Sequence, residues 1–136
     1  MRSGPARGTS EVETFVVEPS MTDAGRATDL PAGLPPTFGT LAMTDAVAAI
    51  SRRMLAPHLE AEDVAVPGRV ELINRAPILV GATVQLEATV QMVEPTRVTC
   101  EVLVRTTDGV AARASYEQEI VLRSEWLERT RGAVVA

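Results

Sequence analysis

Aromatic side chains are nearly missing from this sequence: Phe15, Phe38, Tyr116 and Trp126 are the only ones in 136 residues. A core built from it must be aliphatic, and the 46% apolar fraction is large enough to supply one from Val, Leu, Ile, Ala and Met. Cysteine and histidine occur once each, as Cys100 and His58. A single cysteine closes no internal disulfide, so nothing here requires an oxidising compartment. No His, Cys and carboxylate cluster has the spacing of metal ligands. Positive charge is also short, with 13 basic against 18 acidic residues and a net charge of −5. That balance argues against phosphate-backbone binding, which relies on a basic stripe, and so against nucleic acid as a partner. No apolar run approaches the ~20 residues needed to span a bilayer. The Gly/Ser/Arg-containing residues 1–10 lack the apolar centre of a signal peptide. Gly-rich phosphate loops and Gly-x-Ser-x-Gly turns are absent. The expectation is a cytoplasmic protein that uses no cofactor or metal and does not enter membranes.

The length fits one domain. Residues 1–10 are expected to be a flexible N-terminus, 11–128 the folded domain and 129–136 a flexible tail. Glu11 to Glu18 is rich in β-formers and reads as a first strand, closed by Pro19. Residues 19–39 then carry Pro19, Pro31, Pro35 and Pro36 with Gly25, Gly33 and Gly39. A loop this long in a compact domain is usually functional or disordered, and its position before a helix favours function. The helix spans about Thr40 to Leu55. Met43, Val47, Ile50 and Met54 form its buried stripe, alanines fill much of the remainder, Arg52 and Arg53 suit its C-terminal dipole, and Pro57 stops it.

After a polar connection at 60–68 the period changes to two. Val70 to Ala76 reads as a second strand. In the third, Thr83 to Val93, Val84, Leu86, Ala88, Val90 and Met92 share a face. Arg97 to Thr106 turns Val98, Cys100, Val102 and Val104 inward, and Asp108-Gly109 is a hairpin signal. Val110 to Leu122 is the last strand, with Gln118 a polar exception among Ala112, Ala114, Tyr116, Ile120 and Leu122. Strand, long loop, helix and a four-strand meander make an α+β fold. One apolar face of a curved antiparallel sheet of about five strands wraps around one central helix, an arrangement known as the hotdog.

The stretch Pro35 to Glu60 (PPTFGTLAMTDAVAAISRRMLAPHLE) resembles the fluoroacetyl-CoA thioesterase family of hotdog proteins. There a loop with Phe and Thr enters the central helix, which ends in an Ala-Pro-aromatic-Leu-Glu run, here Ala56-Pro57-His58-Leu59-Glu60. Val70 to Val84 resembles the family's second strand, its Pro-containing turn and the Gly that opens the third strand. The likeness covers about residues 14–126. It implies an acyl-thioester enzyme whose substrate is carried on CoA or acyl carrier protein, working as a homodimer. It also implies a catalytic Thr before the helix, a Glu within it and a His on the second strand. Carried over position by position, these fall on Thr40, Ala48 and Asn74. Ala48 cannot ionise, and Asn74 takes no proton at neutral pH.

Thioester hydrolysis needs an activated water or nucleophile, which a general base normally supplies. The resemblance therefore implies that the carbonyl-polarising half of the machinery survives. Thr40, the N–H groups at the start of the helix and the Asn74 amide can donate to a carbonyl oxygen. Addition or elimination on an α,β-unsaturated acyl group would use the same polarisation, and a silent acyl or small-molecule binder would need no base at all. Asp45, one turn before Ala48, is the candidate replacement for the missing carboxylate. Phe38, Gly39, Leu41, Ala48 and Gln118 are the expected substrate contacts. Each has a plainer reading: Thr40 as an N-cap, Asn74 as a bulge or dimer contact, Asp45 as a first-turn acid. His58 reads as packing or exposed surface, and Cys100 as a small buried apolar residue.

Overall fold

The computed structural model describes residues 1, 3–24 and 29–133. Its elements run β1 (Ser10–Val16), α1 (Thr40–Leu55), β2 (Asp63–Asn74), β3 (Thr83–Glu94), β4 (Arg97–Thr106), β5 (Gly109–Leu122) and α2 (Arg123–Arg131). All neighbouring strands are antiparallel, in the order β1-β3-β4-β5-β2, so β1 and β2 are the two edges. One sheet face is the core. Val84, Leu86, Ala88 and Val90 of β3, Val98, Cys100, Val102 and Val104 of β4 and Ala112, Ala114 and Tyr116 of β5 are all buried there. Met43, Val47, Ile50 and Met54 of α1 pack onto that face, as the helical spacing requires. This is the expected α+β hotdog arrangement. Among the described residues no helix is long and apolar enough to cross a membrane.

Four departures from the sequence reading have local causes. The second strand begins at Asp63, well before Val70. Pro67-Gly68 closes the stretch 60–68 expected as a polar connection, yet the ladder to β5 shifts register between Pro67 and Arg69 and continues. An edge strand tolerates a proline at a bulge because only one of its sides is paired. In β3 the register shifts between Val90 and Met92. The extra residue turns Met92 out to solvent, so the face it was expected to share ends at Val90. At the end of β5, Leu122 is exposed and Val121 is buried, because Leu122 is already the N-cap of α2. Finally, α2 itself was not anticipated: it has no buried residue and hence no apolar stripe to read. Within it Arg129 lies 5.9 Å from the Trp126 ring, and toward β5 Arg129 pairs with Glu119 at 3.7 Å. Residues 134–136 of the expected tail lie outside the described residues, as does Gly25 of the long loop. Gly8 and Thr9 exchange hydrogen bonds with Val90, both at 2.8 Å, prolonging the pairing of β1 with β3.

Candidate functional site

The long loop returns to the sheet before entering the helix. Thr22 bridges to Phe38 and Thr37 bridges to Leu79. The Phe38 N–H donates to the Ile78 carbonyl at 2.7 Å, and the Val80 N–H to the Pro36 carbonyl at 3.3 Å. These bonds tie the start of α1 to the segment that leaves β2, so Thr40 and Asn74 lie at the same end of the molecule. Thr40 is the first residue of α1, and the N-cap is Gly39, in an extended conformation with φ −77° and ψ 151°. The simple reading of Thr40 as the cap is therefore corrected. Its carbonyl takes a hydrogen bond from the Thr44 hydroxyl at 2.8 Å. The first N–H groups of any α-helix lack intrahelical acceptors and form its positive pole. Here those groups belong to Thr40, Leu41 and Ala42.

Asn74 is the last residue of β2 and stands opposite Ala112. Directly paired residues share a sheet face, and Ala112 belongs to the core. Asn74 thus leaves the helix-covered face at its open edge, where it remains exposed. Helical spacing puts Leu41, Asp45, Ala48 and Arg52 in one stripe of α1, on the flank away from β1. Leu41 is 63% exposed, Asp45 is exposed and Ala48 is 9% exposed.

One expected substrate contact, Gln118, lies apart from this end. Gln118 is 1% exposed and donates from Nε2 to the Ser51 carbonyl at 3.2 Å. Ser51 is about 16 Å along the helix axis from Thr40 at 1.5 Å per residue. The Gln118 side chain pins the later turns of α1 to the sheet. His58 ends the short 3₁₀ turn Ala56–His58 after α1, at the opposite end of the helix from Thr40. Cys100 is buried and unbridged. Burial pushes its thiol pKa up, and the neighbouring Ser51 hydroxyl offsets part of that, as an inert core thiol requires. Phe38 is buried and meets Phe15 edge to face at 5.7 Å. Together with Glu13, Met21, Ala42 and Ala46 these rings line a groove of about 300 Å³ between β1 and α1. Among the described residues no group of His, Cys, Asp and Glu could hold a metal ion.

One acid at this end was missed. The Gly39 N–H donates to the Met21 carbonyl at 2.8 Å, which lays residues 21–23 alongside 38 and 39. Asp23 then packs against the N-cap: a Cβ on Gly39 would overlap Asp23 Oδ1 and lie 2.9 Å from Asp23 Cγ and backbone N. Asp23 is half-buried. It lines a second cavity, of about 160 Å³, with Thr22, Leu30, Leu34, Pro36 and Thr37. A lone acid in a Pro/Gly loop carries no periodic signal. The one hint was Gly39 itself, a residue without a capping side chain at the position where Ser, Thr, Asp or Asn is preferred.

With the site's geometry in hand, comparison with known proteins assigns the family. A family model described as fluoroacetyl-CoA-specific thioesterase matches residues 17–124. The chain belongs to this family. The fluoroacetyl-CoA thioesterase itself superposes with a TM-score of 0.84 at 21% identity, covering 98% of this chain and 100% of that one. A hot-dog-like protein from Thermanaerovibrio acidaminovorans superposes with a TM-score of 0.81 at 24% identity, covering 95% and 94%. More distantly, a 1,4-dihydroxy-2-naphthoyl-CoA thioesterase from Synechocystis reaches 0.66 at 12% identity, covering 84% and 83%. At such identities these superpositions establish the hotdog fold. A search of curated proteins finds no match.

Proposed function

We propose that the protein processes acyl thioesters, on CoA or acyl carrier protein, as a cytoplasmic homodimer. The observation that carries this reading is the convergence of the α1 N-terminus and the end of β2, in a chain of the fluoroacetyl-CoA thioesterase family. A thioester carbonyl placed there accepts hydrogen bonds from the Thr40 hydroxyl, the first helical N–H groups and the Asn74 amide. Donors aimed at developing negative charge are the largest single catalytic contribution in acyl transfer. The acyl group then follows the apolar flank of α1 past Leu41 and Ala48, with Phe38 and Gly39 behind it. Asp45 stands at the rim of that flank.

Dimerisation is supported by the bare edge of β2. Unpaired strand edges are normally covered, and Val70 and Ile73 are exposed along this one. A second copy pairing here would cover the flank that carries Leu41 and Asn74, so the carrier would enter at the seam. A second reading, a catalytically silent acyl binder, is favoured by the absence of a titratable group at Ala48 and Asn74. One experiment separates the possibilities: incubation with a panel of acyl-CoAs while free thiol and substrate mass are followed together. Thiol release means hydrolysis. A mass change without thiol means addition or elimination. Saturable binding with neither means a silent binder, and no binding removes the thioester reading.

A further inference from the structure

We infer that Asp23 is the general base of this site, a carboxylate supplied by the loop where the helix offers Ala48. The inference rests on the thioester reading and narrows it to hydrolysis. Three observations place the group. The bonds of Met21 to Gly39 and of Thr22 to Phe38 fix the backbone beside the start of α1. The carboxylate occupies the space that a side chain at position 39 would fill, directly before Thr40. It also faces a cavity between Thr22, Leu34 and Thr37 that has room for more than a single water molecule. Asp23 and Gly39 are thus one device, since any larger residue at 39 displaces the acid.

The chemistry balances without a further reactant. Asp23 takes a proton from a water molecule as the water oxygen bonds to the thioester carbonyl carbon. The carbonyl π electrons move to oxygen, where the Thr40 end of α1 and Asn74 hold the charge. Collapse of this intermediate breaks the C–S bond, and the proton held by Asp23 passes to the departing thiolate, leaving a carboxylic acid and a thiol. A positioned base of this kind contributes about 10²–10⁴-fold in rate.

The test compares wild type, Asp23→Asn, Asp23→Ala and Gly39→Ala on thiol release from the panel of acyl-CoAs, beginning with acetyl-CoA. Asp23→Asn keeps the shape and removes the base, so kcat should fall at least ~100-fold while KM stays within a few-fold. Asp23→Ala should fall similarly and regain activity when sodium formate is added, because a small carboxylate can occupy the vacated space. Gly39→Ala should cost turnover in the wild type and almost nothing more in the Asp23→Asn background, the non-additivity of residues that act as a unit. Melting temperatures on the same preparations show whether each variant is folded. Full activity in a folded Asp23→Asn overturns the assignment of the base and leaves the hydrolase reading intact. A drop in Asp23→Ala that formate does not relieve, with Gly39→Ala additive, makes Asp23 a structural contact and also overturns it. A wild type that releases no thiol from any panel member overturns the reading and the base together.

Discussion

The two flanks of α1 are built from similar residues and end in opposite states. Toward β1, Ala42 and Ala46 let the strand approach, Phe15 and Phe38 meet edge to face, and Arg53 pairs with Glu13 across the groove. Toward β2, the stripe of Leu41, Asp45, Ala48 and Arg52 looks past the last strand. Val70, 45% exposed, and Leu41 have no strand beyond them. The difference is one of cover: the β1 flank faces a strand of its own chain across a groove lined by the aromatic pair, whereas the β2 flank ends at a bare edge with an amide and a helix N-terminus beside it. Fold stability belongs under the centre of the helix, and the proposed function belongs on the open flank. Mutations can separate the two.

The largest effect on folding is expected at the centre. Ile50 is fully buried between α1 and the sheet, so Ile50→Ala should cost about 2–5 kcal/mol through lost burial and the cavity left behind. Urea denaturation read by circular dichroism checks this. A loss below ~1 kcal/mol would mean that the helix is not packed as described. On the open flank, Asn74→Ala should instead lower turnover ~10²–10³-fold, the cost of losing one oxyanion donor, and barely move the melting temperature. A large melting shift with per-molecule turnover unchanged would make Asn74 a structural bridge at the seam and remove it from the site. Next comes the seam itself. Val70→Asp places a charge where a second copy would pair, and an unpaired buried charge is strongly unfavourable. Light scattering at micromolar concentration should then show a monomer where wild type shows a dimer, and a monomeric wild type would defeat the edge-pairing proposal.

What the sequence revealed follows the same division. The centre was legible because burial imposes a period: Met43, Val47, Ile50 and Met54 at helical spacing, Val98, Cys100, Val102 and Val104 at strand spacing. Where burial stops dictating, the reading slipped. Pro67-Gly68 hid the first half of β2, since an edge strand accepts residues that a central strand rejects. The bulge before Met92 broke a clean alternation, and α2 has no buried face to announce it. For the site, local signals located Thr40 at the helix start and Asn74 on the second strand, and both assignments of element hold. Gln118 illustrates the limit: a polar residue on a core face looks the same in sequence whether it lines a ligand or, as its bond to Ser51 shows, clasps a backbone carbonyl. Asp23 was invisible because only the folded loop brings it to Gly39.

The smallest expected effect is the sharpest test of the contrast. Leu41 lies on α1 like Ile50, but it is mostly exposed where Ile50 is not. Truncating it to Ala in the single chain removes few contacts and puts a good helix former in its place. In the monomeric Val70→Asp background, Leu41→Ala should therefore change unfolding free energy by no more than ~0.5 kcal/mol. In the proposed wild-type dimer the same change should weaken association, because exposed apolar area at a seam is covered only by the partner. The measurement is a pair of urea titrations, one in each background, with the dimer followed at several protein concentrations. If Leu41→Ala destabilises the monomer by 2 kcal/mol or more, the order of a core truncation, then α1 is covered on both flanks by its own chain. The open flank could then be neither a seam nor an entrance for an acyl carrier.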